Sequence, residues 1–260
     1  MKKLGVFISI FLTSILLLMP IAPVQSNSVY LHSYTATPPI IDGNLNSFSG
    51  EWANAATQEF DTIGGTSKHG KIYVMNTQSD LFIAVEINDG TNNGISDFIQ
   101  IIFDNDNDGT AVVGDDALML RDLFYDMYIS SASGFTYDPI KHGSGAASFG
   151  TSWTFEISHP LSSGEIGYDF QLSIGSIVGF TIRYYDGSVG ESHWPGIQVF
   201  AGSNTENYGD IGIDPPTTTN PVGGIYAPND KLNILTPFIA LVGLIGAVST
   251  IFAIRRWRKD

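Results

Sequence analysis

Cysteine is absent from the 260 residues. That absence excludes disulfides, thiolate catalysis, zinc-cysteine sites, iron-sulfur clusters and thioether-linked haem. Stability must then come from a hydrophobic core, which a body of this length can bury. Cations are scarce: 12 Lys and Arg stand against 26 Asp and Glu, for a net charge of −14. Half of those cations lie at the two ends (Lys2, Lys3, Arg255, Arg256, Arg258, Lys259), so the intervening chain is more acidic still. Such a surface repels nucleic acid and anionic lipid, and no nucleic-acid partner is expected. It suits an exported protein or one that collects cations. Asn-x-Ser/Thr sequons are missing, and no stretch of the body carries a helical apolar period.

The ends carry their own pattern. Lys2 and Lys3 precede an apolar run from Leu4 to Met19, then Pro20 and small residues to Ser26, which predicts a secretory signal peptide over residues 1–26. Residues 234–254 hold no charged side chain, and four basic residues follow at 255–260. Twenty-one such residues, at about 1.5 Å rise each, span a bilayer. The basic tail predicts a cytoplasmic C-terminus and an extracellular body at the cell membrane, crossed once. Residues 214–233 are rich in Pro, Thr and Gly and read as a stalk. The same spacer, apolar helix and Arg cluster resemble the C-terminal sorting signals of some prokaryotic surface proteins, which would be cut and re-anchored.

Between these ends, residues 27–213 predict one all-β domain. Apolar residues recur at every second position in Trp153, Phe155 and Ile157, in Phe170 and Leu172, and in Val178, Phe180 and Ile182. The expected strands are 71–76, 81–87, 97–103, 124–130, 153–158, 170–173, 178–185, 198–201 and 208–213, separated by Gly, Asn, Asp and Pro clusters. Many short strands with turn signals imply an antiparallel β-sandwich.

Asp104-Asn105-Asp106-Asn107-Asp108-Gly109, with Asp115 and Asp116 beyond, is the sharpest local motif. Counting Asp104 as position 1 puts Asp106 at 3, Asp108 at 5, Gly109 at 6 and Asp115 at 12, the spacing of a twelve-residue calcium loop. The alternative is an Asn-Asp turn between two strands with no metal. The expected calcium ligands are Asp104, Asp106, Asp108 and Asp115.

Pro39-Ile40-Ile41-Asp42-Gly43 followed by Trp52-Ala53-Asn54-Ala55 resembles the start of the DOMON-like superfamily, which includes family 9 carbohydrate-binding modules. The later Trp153-Thr154-Phe155-Glu156, Pro160 to Glu165, and Val178 to Gly187 are more similar to its haem-binding branch, typified by the ethylbenzene dehydrogenase γ subunit. That resemblance implies an immunoglobulin-like sandwich holding a ligand at one face or end. It also implies b-type haem held by a Met before the aromatic strand and a Lys or His beyond the Asp-Gly strand end. Met119 and His193 occupy those places, His193 standing where no Lys exists. The membrane helix carries no His, so electron transfer would need a redox or surface-protein partner.

A second reading uses aromatic rings. Trp194, Tyr137, Tyr184 and Tyr185 offer apolar faces to sugar rings, with Asp and Asn for the hydroxyls. Alternation places Tyr184 and Tyr185 on opposite faces, so one at most lines a given site. Trp52 and Trp153 read as core, and Met119 has core packing beside Leu118 and Leu120 as its plainer role. His32, His69, His142 and His159 are scattered without metal spacing. No nucleophile stands beside a base, so no enzyme is expected. The function expected is non-catalytic ligand binding outside the cell, with haem or, alternatively, carbohydrate as the ligand.

Overall fold

In the computed structural model, residues 29–32, 34–46, 50–131, 134–196 and 208–216 are described. The predicted signal peptide, most of the stalk, the membrane helix, the tail and the expected strand at 198–201 lie outside them.

Alternating burial builds two sheets. One contains β1 (Tyr30–His32), β5 (Phe98–Asp104), β6 (Asp116–Leu120), β7 (Phe124–Ser131), β8 (Gly134–Tyr137), β11 (Ile177–Asp186), β12 (Gly190–Trp194) and β13 (Gly209–Gly212). The other contains β2 (Ala56–Asp61), β3 (His69–Asn76), β4 (Asp80–Ile87), β9 (Ser144–Phe149) and β10 (Trp153–Pro160). The larger sheet runs β1-β13-β11-β5-β6-β7-β8, and β12 also pairs with β11. The smaller runs β2-β3-β4-β10-β9. Pairing is antiparallel throughout except between β1 and β13.

The core lies between the sheets. β5 contributes Ile99, Ile101 and Phe103, β11 contributes Phe180, Ile182 and Tyr184, and β10 contributes Trp153, Phe155 and Ile157. Phe103, Phe155, Phe170 and Phe180 are fully buried, each contributing about 1.5–3 kcal/mol by leaving water. The other face of each sheet is partly covered as well. On the smaller sheet, Trp52 packs with Met75, Phe82 and Ala84. Glu156, a buried residue of β10, holds that covering segment: it accepts the Asp42 N–H at 2.9 Å, the Gly43 N–H at 2.7 Å and the Trp52 indole N–H at 2.9 Å. The Ile-Asp-Gly and Trp residues that carry the family resemblance are therefore a structural clamp. Gly43 turns there at φ 85°, a left-handed conformation that glycine tolerates, and a Cβ would meet the Ala147 backbone at 2.9 Å.

Segment 170–173, expected as a strand, forms none. It makes only the isolated bridge Ser162↔Gln171 and closes one end of the sandwich, with Leu172 N–H bonded to Leu161 C=O. Phe170 and Leu172 still point inward, so the alternation reflected burial rather than sheet pairing.

Candidate functional site

The Asp-rich loop begins where β5 ends. Asp104 accepts the Gly109 N–H at 2.7 Å and the Asp108 N–H at 3.3 Å, which curls the chain around its carboxylate. Asn107 and Gly109 both have positive φ, 53° and 84°. One carboxylate oxygen from each of Asp104, Asp106 and Asp108 then lies within 4.8 Å of the others. Oxygens bound to calcium at 2.3–2.6 Å fall within that span, so these three residues fit the ion. Asp115 is placed differently. Its two oxygens accept the backbone N–H groups of Asn105 at 3.1 Å and Val112 at 2.8 Å, so it stitches the loop from the inside. Burial pushes Asp104 up to about 7, with Asp106 and Asp115 adding to the rise, and pushes Asp115 up to about 6.

The outer face of the larger sheet carries a second constellation. Register places Tyr125, Met119, Gln100, Arg183 and His193 opposite one another in a row across β7, β6, β5, β11 and β12. Beside that row, Phe98 and Tyr185 face each other on β5 and β11, their rings parallel with centroids 5.2 Å apart. Arg183 donates to Glu191 at 2.8 Å and to Gln100 at 3.1 Å, and its guanidinium lies 5.8 Å from the Phe98 ring. Tyr125 accepts from Arg121 at 3.1 Å and donates to Asp122 at 3.0 Å, while Tyr137, 58 % exposed, stands 5.5 Å from its ring. Aromatic rings and the Arg183–Glu191 pair thus share the outer surface, while Gln100 and His193 are buried beneath it.

Met119 and His193 do share a face, but Gln100 and Arg183 stand between them. Three strand spacings separate their backbones by about 14 Å. Both side chains leave the same side of one continuous sheet, so they do not face each other across an iron. His193 is also buried, with Nε2 3.5 Å from Glu191 and its strand bridged to Ile63. These residues do not fit an axially ligated haem. Trp194 and Tyr184, expected as sugar-stacking rings, are core residues instead. Trp194 stacks on Phe60 at 4.5 Å and lies 5.8 Å from Phe180. Tyr184 is fully buried and donates to Asp89 at 2.7 Å. Of the ring residues proposed from sequence, Tyr185 and Tyr137 reach the outer face.

No protein-family model matches the chain, and no curated protein does. Solved structures do. A protein assigned as carbohydrate-binding from Bacteroides uniformis ATCC 8492 aligns with TM-score 0.53 at 9 % identity, over 73 % of this chain and 100 % of that one. The fold is shared. A family 9 carbohydrate-binding module from Caldicellulosiruptor kristjanssonii, in complex with cellotriose, aligns with TM-score 0.49 at 16 % identity, over 75 % of this chain and 100 % of that one. A family 9 module from the same organism, in complex with glucose, gives 0.47 at 14 % identity, over 74 % of this chain and 99 % of that one.

The structure also gathers residues that sequence spacing left scattered. Two triads that share Asp169, one with Asp116 and His159 and the other with Asp126 and His142, lie at one end of the sandwich. No linear motif announces them, because three strands and two loops supply them.

Proposed function

We propose that this chain is a non-catalytic glycan-binding module whose site is the outer face of the larger sheet. The observation that carries the reading is the partly exposed Phe98–Tyr185 ring pair set beside Arg183 and Glu191 on the outer sheet surface, with buried Gln100 holding the guanidinium from beneath. Rings there stack on the apolar faces of sugars, and the guanidinium of Arg183 and carboxylate of Glu191 meet hydroxyls. The neighbours of shared fold include a protein assigned to carbohydrate binding, which agrees with this reading. Affinity electrophoresis through a panel of soluble polysaccharides tests it. The wild type is expected to be retarded by at least one, and Tyr185→Ala to bind about tenfold more weakly, a loss of about 1.4 kcal/mol. No retardation by any glycan removes the reading.

Asp104, Asp106 and Asp108 hold calcium in this proposal, as a brace on the loop beside β5. Millimolar calcium is expected to raise the melting temperature by several degrees, about 2–4 °C for each kcal/mol gained. Asp106→Asn, which removes an exposed ligand charge without touching the backbone bonds of Asp104, is expected to abolish most of that rise. Equal calcium responses in both proteins leave the loop a turn only. The signal peptide, stalk and terminal helix would export this module and hold it at the outer membrane surface of the cell, and proteolysis of intact cells that releases the domain tests that placement.

A further inference from the structure

Two buried acidic clusters occupy the sandwich, and they are neutralised differently. Asp89, Asp97 and Asp186 surround Lys68, whose Nζ lies 3.0 Å from Asp89 and 2.8 Å from Asp186. At the other end, Asp116 of β6 and Asp126 of β7 project from the larger sheet, His159 projects from β10, and His142 and Asp169 enter from loops. Among the described residues, no Lys or Arg forms an ion pair with this second cluster. Three buried carboxylates of like charge without a cation would repel one another strongly.

The geometry is wrong for hydrogen bonds and suits a shared ion. His159 Nε2 lies 3.8 Å from Asp169 Oδ2 and 4.0 Å from Asp126 Oδ2. His142 Nδ1 lies 2.9 Å from Asp169 Oδ2 yet makes no hydrogen bond to it. Donors bound to one metal at about 2.0–2.2 Å stand roughly 3–4 Å from each other. Asp116 Oδ1, Asp126 Oδ1, both oxygens of Asp169, His142 Nδ1 and His159 Nε2 are all buried without a hydrogen-bond partner. Native interiors hold only a few such atoms per roughly 100 residues, so six at one place call for a partner. His159 and Asp169 side chains are 1 % and 0 % exposed, so bulk water does not reach them.

The surrounding bonds prepare the ligands. The His159 Nδ1 contacts the Pro160 C=O at 2.8 Å, where only an N–H can serve, so Nε2 is left with its lone pair facing the cluster. Asp126 Oδ2 accepts the His142 N–H at 2.6 Å, and Asp116 Oδ2 accepts the Phe170 N–H at 3.3 Å, leaving the other oxygen of each unpaired. Phe170, edge-on to His159 at 4.7 Å, closes the apolar side. A cleft of about 330 Å³, lined by Asp169, Gln171, Asn105 and Ile166, offers entry.

We propose that His142 Nδ1, His159 Nε2, Asp116 and Asp126, grouped in two triads around the shared Asp169, bind a divalent transition cation of the zinc class. Two imidazoles among carboxylates, with no thiolate, select such an ion over calcium, which takes oxygen ligands. The ion ties β6, β7 and β10 to both loops and closes that end of the sandwich.

The test uses the full chain, stripped with chelator and dialysed. Zinc is expected to bind at one equivalent by elemental analysis and to raise the melting temperature by about 5–10 °C at 100-fold excess over its dissociation constant. Cobalt(II) is expected to give visible d–d absorption that zinc displaces. His159→Gln is expected to lose the zinc and the cobalt spectrum, while Asp106→Asn keeps both. Failure of the wild type to retain zinc or develop a cobalt spectrum overturns the proposal, as does calcium displacing the zinc. Full zinc content in a folded His159→Gln variant overturns it too. The wild-type arms decide the matter even where a variant fails to fold.

Discussion

Lys68→Met is expected to lower the melting temperature by about 10–15 °C, because removing one partner of a buried ion pair leaves an uncompensated charge worth about 3–5 kcal/mol. Lys68 serves two carboxylates, and the side chains of Asp89 and Asp186 are 0 % and 1 % exposed. Asp89 also accepts from Thr91 and Tyr184, and Asp186 from Ser188 and Asn93, so both are held as anions in place. Burial opposes their ionisation, but those bonds and Lys68 outweigh it and hold both below the usual carboxylate range. A depressed carboxyl contributes stability that is present above its unfolded pKa of about 4 and is lost as pH falls through the folded value. Lys68 is raised by the same pairs despite its own desolvation, so its contribution is present below about 10.4 and is lost as pH rises through the higher folded value. The deficit of Lys68→Met should therefore be largest near neutrality and shrink toward pH 4, where protonation relieves the stranded carboxylates. Adding Asp186→Asn to Lys68→Met should recover part of the loss at pH 7. Thermal melts across that range check both, and a deficit independent of pH would show that packing alone was lost.

Glu156→Ala is expected to cost about 3–5 kcal/mol in urea unfolding, since each buried donor left unsatisfied costs about 1–3 kcal/mol. Three donors depend on this carboxylate, from Asp42, Gly43 and Trp52. The Ser148 hydroxyl bonds the Gly43 C=O at 2.6 Å, and it alone would then tie the Asp42-Gly43 turn to the sheet by a side chain. Trp52 should become solvent-accessible, seen as a red shift in its fluorescence. Glu156→Gln should also destabilise, because its NH₂ confronts donors where an oxygen now accepts. A loss below about 1 kcal/mol would mean that the segment is held by apolar packing with Met75 and Phe82.

The strands that were legible in the sequence are those with large alternating residues. Trp153, Phe155 and Ile157, or Val178, Phe180 and Ile182, announce a buried face wherever they lie. β9, with the sequence Ser-Gly-Ala-Ala-Ser-Phe, does not, because its residues are mostly small, and β6 does not, because Leu118, Met119 and Leu120 run in succession without alternation; the strand character of both comes from the neighbours they pair with. β2 opens on exposed Thr57, Gln58 and Glu59 and shows no apolar period either. Alternation also correctly separated Tyr184 from Tyr185, but period alone does not say which face is the core; with one face buried against the second sheet, Tyr184 went inside. Trp194 was misread for the same reason, its partner Phe60 lying on the opposite sheet.

Local chemistry followed the same divide. Asp104, Asp106 and Asp108 sit within five residues, so their convergence could be read from spacing. Asp115 matched the spacing too, yet its carboxylate is not among the three that converge. The cluster at His142 and His159 was invisible, since its members meet only through the β10 register and the loop closing over Phe170.

The central claim is that the outer face of the larger sheet is the glycan site, and amide chemical-shift mapping with a retarding oligosaccharide tests it most directly. Perturbations are expected at Phe98, Gln100, Arg183, Tyr185 and Glu191, fading toward the smaller sheet. Shifts confined to the polar cleft of Glu59, Lys71, Glu86 and Thr151 on the smaller sheet, with the Tyr185 row unmoved, would contradict the account.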